Sequence, residues 1–125
     1  MSFGPPIIHE GPGGELHIDF PLMYQGYGID RVHFDPKAMN PSPKGRPVHC
    51  HIEGGIDIRE AEEVMNKVVK ELRVIDAAEF RGPEDCWAVP LAWKNLIIAH
   101  VKVSRDGKEI APDYPLTEEV RRHVY

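Results

Sequence analysis

Cysteine is scarce in this chain, which holds only Cys50 and Cys86. They form no C-x-x-C pair and no zinc-ribbon spacing, which excludes a disulfide framework or a thiolate metal knuckle. They read instead as small reduced side chains, not bonded to each other. Also missing is any apolar run approaching the roughly 20 residues of a membrane span. The first ten residues have neither a basic region nor a long apolar stretch, so no signal peptide is expected and the expected compartment is the cytoplasm. Positive charge is in deficit: the formal net charge is -5 and the pI about 5.8. With no basic stripe to override that total, nucleic acid and anionic membrane are excluded as partners. The expected partner is a small molecule or another protein subunit, with the chain a homo-oligomer or one subunit of a complex.

Proline, glycine and histidine are plentiful, at 12, 11 and 7 in 125 residues. A chain of this length is one domain in size, and it buries about two thirds of its unfolded surface without needing a staple. The prolines and glycines cluster. Residues 1–14 read as an irregular arm. Residues 35–47 hold Pro36, Pro41, Pro43, Gly45 and Pro47 and read as a Pro-rich loop, long enough for a lid or a partner-binding segment.

Between these stretches the apolar residues are periodic. Leu16, Ile18 and Phe20 alternate with His17 and Asp19, and Val32 and Phe34 flank His33. Val48, Cys50 and Ile52 alternate with His49, His51 and Glu53. A period of two marks half-buried strands. Asp57, with Glu60 three residues on, predicts a helix start. Ile58, Ala61, Met65, Val68 and Leu72 then form one apolar helical stripe. A strand is expected over 74–80, and another over 87–93 that is edge-like or bulged because of Pro90. Lys94-Asn95 turns into a strand over 96–104, and Asp106-Gly107 makes a hairpin to 108–111. A short helix is expected from Thr117. These elements predict an α+β fold in a single domain over 1–125. It is a two-layer sandwich, with a mostly antiparallel sheet carrying one long helix on one face and a short C-terminal helix. Residues 49–80 would form a βαβ crossover within it.

The phase of the histidines is the chemical lead. His17, His33, His49 and His51 all fall on the side of their strands opposite the apolar residues, together with Asp19 and Glu53. On neighbouring strands they would cover one patch of sheet, and His100 would join it from the second half. Imidazole is the commonest metal ligand and titrates near neutral pH. The proposed catalytic set is His49, His51 and Glu53, and the proposed metal ligands are His17, His33, His49 and His51. The metal would be zinc or another borderline ion in preference to magnesium. Cupins also place His-x-His on a strand, but their Glu comes later and their second box is absent here. Amidohydrolases need a barrel at least about twice this length, so neither family is assigned. A bland alternative is a solvated strand face with histidine as filler. Two other functions compete: a noncatalytic small subunit of a larger enzyme, docking through the polar sheet face or the Pro-rich segments, and a metal-free small-molecule-binding or regulatory domain.

Overall fold

The computed structural model describes residues 1–45 and 57–124, with side chains through residue 122. Nine strands and two helices follow one another along the described chain. Strands β1 (Ser2–Phe3), β2 (Ile7–Glu10), β3 (Leu16–Tyr24), β4 (Tyr27–Asp35) and β5 (Asn40–Pro41) precede helix α1 (Ile58–Lys70). Strands β6 (Arg73–Val74), β7 (Glu79–Arg81), β8 (Cys86–Trp93) and β9 (Leu96–Ser104) then lead to helix α2 (Tyr114–Val124).

The expected single sheet under one long helix is not what forms. There are two antiparallel sheets, one built from β1–β5 and the other from β6–β9. Each side contributes to a common core. Ile18, Phe20 and Leu22 of β3 and Val32 and Phe34 of β4 meet Leu91, Trp93, Ala99 and Val101 of the second sheet, with Ala61, Met65 and Val68 of α1 packed among them. The helical stripe lies where its spacing predicts, but it seals a core between two sheets. The reason is the length of apolar alternation: β8 and β9 pair along almost their full length and bury a face of their own.

The arm at 1–14 is not irregular. β1 and β2 both pair antiparallel with β3, and the shift in register between them falls at Gly4-Pro5-Pro6. Proline cannot donate to a ladder, so this edge strand breaks there and resumes. The Pro-rich segment is likewise tied down as far as it is described. β5 pairs with β4, the Ser42 amide donates to the His33 carbonyl at 2.8 Å, and the Lys44 amide donates to the Ile97 carbonyl at 2.8 Å. The strand expected over 74–80 forms as two short pieces, β6 and β7, both on one edge of β8. Pro90 falls in the interval that neither piece pairs, and a bulge follows at Leu91/Ala92. The strand expected over 48–53, and with it the βαβ crossover, lies outside the described residues.

Both helices start where a side chain caps them. Asp57 accepts from the Glu60 amide at 3.1 Å, as the sequence pattern predicts. Asp113 accepts from the Leu116 amide at 3.0 Å, so α2 begins ahead of Pro115, which the first turn tolerates. The hairpin at Asp106-Gly107 closes as expected, with Gly107 at φ +76 and its amide on the Ser104 carbonyl at 2.8 Å.

The placement of α2 matters most for function. It lies on the outer face of the first sheet, where Leu116 and Val120 bury Ile7 in a second, smaller core. The approach is close: a Cβ on Gly28 would stand 2.9 Å from Leu116 Cγ. The Gly28 amide donates to Thr117 Oγ1 at 2.9 Å, which anchors the first turn of the helix. The sheet face expected to be polar is therefore half covered.

Candidate functional site

The half of that face not covered by α2 carries His9, His17 and His33. Strand register sets the arrangement: Asp19 stands opposite His33 on β4 and opposite Ile7 on β2, while His9 stands opposite His17. Residues of one parity therefore gather on the outer face, with Ile18, Phe20, Val32 and Phe34 on the other.

The tightest contact is between His33 and Asp19, with His33 Nδ1 2.6 Å from Asp19 Oδ1. Asp19 is only 5% exposed, an unusual burial for a carboxylate. Burial alone would push its carboxyl up. The hydrogen bond and charge of His33, and then those of Arg31, outweigh that and hold it below the usual carboxylate range. An ionised carboxylate only accepts, so Nδ1 is the donor in this contact. The His33 side chain is 36% exposed.

Arg31 ties this pair to α2. Its guanidinium lies 3.4 Å from Asp19 Oδ2 and is hydrogen-bonded to Glu119 of the helix. The Ser42 hydroxyl donates to the His33 carbonyl at 3.2 Å, fixing the backbone from the other side. His33 thus sits on rigid strand, oriented by a buried acid that is itself clamped by an arginine.

His17 lies one pleat along β3. Its ring stacks on His9 with centroids 5.4 Å apart, and its Nε2 is 3.6 Å from Glu15 Oε1. His9 was missed at the sequence level because the glycines and prolines around it masked a strand. Arg31 shares the phase of His33 and was legible; Glu119 was not, since only the packing of α2 brings it in.

One expectation changes here. His100 does not join the patch. It belongs to β9 in the other sheet, where its amide donates to Asp30 Oδ2 at 2.7 Å. Burial and then Arg81 push its imidazole below the usual histidine range. Asp30 also receives Lys44 Nζ at 2.6 Å, so it staples the two sheets together. Among the described residues no set of three or more His, Cys, Asp or Glu side chains is arranged to hold a metal ion. His17 and His33 do not make a metal centre by themselves. His49, His51 and Glu53 lie outside the described residues, as does Cys50.

The other features singled out in the sequence divide between core and surface. Cys86 is free and buried. Trp93 is in the main core, whereas Trp87 is 37% exposed and packs edge-on against Phe80, with ring centroids 5.1 Å apart. No helix among the described residues is long and apolar enough to cross a membrane.

No protein family, curated protein or solved structure matches this chain.

Proposed function

We propose that this protein is a small binding or catalytic domain that works through the uncovered outer face of its first sheet, with His33 as the group that exchanges a proton with the ligand. The observation carrying this reading is the 2.6 Å contact between His33 Nδ1 and the buried Asp19, with the His33 side chain 36% exposed. A carboxylate on one ring nitrogen orients the ring and leaves the other nitrogen to the ligand, as a general base or a metal-ligating imidazole requires. Asp19 is then a positioning residue, and Arg31 and Glu119 hold it in place. Should a divalent ion also bind, His33 and His17 would supply imidazoles from this face, with His49, His51 and Glu53 the sequence candidates for further ligands. Imidazole donors favour zinc over magnesium.

The test is long-range ¹H–¹⁵N spectroscopy of the imidazoles, with and without zinc, in the wild type and in Asp19→Asn. His33 should appear with its proton on Nδ1, and Asp19→Asn should change its tautomer balance. A native His33 that is predominantly Nε2–H would end the proposal. Elemental analysis of the purified protein then separates proton transfer alone from a zinc-assisted version.

A second reading, the noncatalytic subunit, is favoured by Phe80 and Trp87. They are 39% and 37% exposed and adjacent across β7 and β8. A partner docked there would bury both rings and shift the Trp87 emission to the blue. The polar sheet face, half covered by α2, is the weaker candidate for such docking.

A further inference from the structure

At the turn end of β3 and β4, away from His17 and His33, the β3–β4 hairpin, the segment after β9 and the start of α2 line an open groove of about 580 Å³. Its lining includes Tyr24, Tyr27, Tyr114, Ile29, Lys108 and Glu109. That volume falls within the range of small-molecule sites. Backbone hydrogen bonds preform its walls. Tyr24 and Tyr27 are paired across a two-residue turn, with Gln25 at φ +50 and Gly26 at φ +83. Positive φ at both central residues is the tight hairpin geometry that matches strand twist. The opposite wall is tied to β4 through the Asp113 amide on the Gly28 carbonyl at 2.8 Å. The segment between them is tied to β9 through the Ala111 amide on the Lys102 carbonyl at 2.7 Å.

Two of the tyrosines are more exposed than the fold requires, Tyr27 at 43% and Tyr114 at 64%. Their rings stand at 86° with centroids 6.4 Å apart. Rings so placed cannot stack face to face and meet at a right angle. Tyr24 and Glu109 line the same groove. Tyrosine rings set at a right angle, with a glutamate in the same lining, suit a bulky, weakly hydrated cation: ring faces attract it through their quadrupoles and a carboxylate adds a full charge. The net charge of -5 favours the same sign of ligand. The geometry points to a small molecule with an alkylated ammonium head, bound at the tyrosine rings with the rest of the molecule along the groove. Lys108 lines the groove too and opposes a cation, which gives the proposal a sharp internal test. This site does not depend on the reading of the histidine face.

Calorimetric titration with choline, and with its neutral carbon isostere 3,3-dimethylbutan-1-ol, tests it. Choline should bind saturably and the isostere at least tenfold more weakly, since the shapes match and only the charge differs. Tyr114→Ala should weaken choline binding about tenfold without unfolding the protein, because that ring is mostly exposed. Glu109→Gln should weaken binding several-fold and Lys108→Gln should strengthen it. Equal binding of the isostere would make the groove merely apolar and overturn the proposal. So would the absence of saturable choline binding, or an unchanged affinity in both charge variants.

Discussion

Asp19→Asn is the most informative single substitution. It keeps the shape of the side chain and removes the charge that orients His33 and pairs with Arg31. A hydrogen bond to a charged group contributes about 1.5–3 kcal/mol. The substituted amide would keep an acceptor for one partner, so the net loss should be about 1–3 kcal/mol at neutral pH. An unfolding entropy of about 2.1 cal/mol/K per residue gives roughly 260 cal/mol/K for this length, so a loss of 2 kcal/mol lowers the melting temperature by about 8 °C. The pH dependence gives the stricter test. The native carboxyl is held below its ordinary value of 3.8, so the unfolded chain takes up a proton first as the pH falls. The stabilisation is therefore complete above the unfolded pKa and disappears as the pH drops through the native one. Melting curves of the wild type and the variant should differ at pH 7 and draw together as the pH falls through the native pKa of Asp19, below its ordinary value. A gap that stays constant with pH, or one under about 0.5 kcal/mol at pH 7, would refute the claim that an ionised Asp19 holds this face together.

Three further outcomes follow from the packing. Met65→Ala, at a fully buried position, should destabilise by about 2–5 kcal/mol in denaturant titration, while Leu72→Ala, beyond the helix end and only partly buried, should lose about half as much. Gly28→Ala should unseat α2 by pushing on Leu116, at about 1–3 kcal/mol, with hydrogen exchange in α2 accelerating more than in α1. In a Cys50→Ala background Cys86, 4% exposed, should react with thiol reagents only after urea is added, and rapid native labelling would mean that the Cys86 end of β8 opens readily.

Much of the fold was legible locally. Alternation placed β3, β4, β8 and β9, and it set the inward and outward phase of Ile18, Asp19, Val32 and His33 correctly. Asp57 and the Ala61–Met65–Val68 spacing located α1 because capping and helical stripes are properties of a few adjacent residues. The arm was misread because Gly4, Pro5 and Pro6 look like a break in structure, whereas an edge strand can lose a few ladder bonds and continue.

What the sequence by itself determined is which residues share a face: a period of two puts His17, Asp19, Arg31 and His33 on one side regardless of the rest of the fold. It could not determine what lies over that face. Only the tertiary structure decided that β8 and β9 form a second sheet, which removes His100 from the patch. The structure also decided that Gly28 lets α2 settle on the first sheet, so that Glu119 reaches Arg31 from 88 residues away. Strand phase follows from backbone geometry one residue at a time. Which surfaces meet depends on burying apolar area among distant segments, and several pairings of equal periodicity remain open until the whole core is packed.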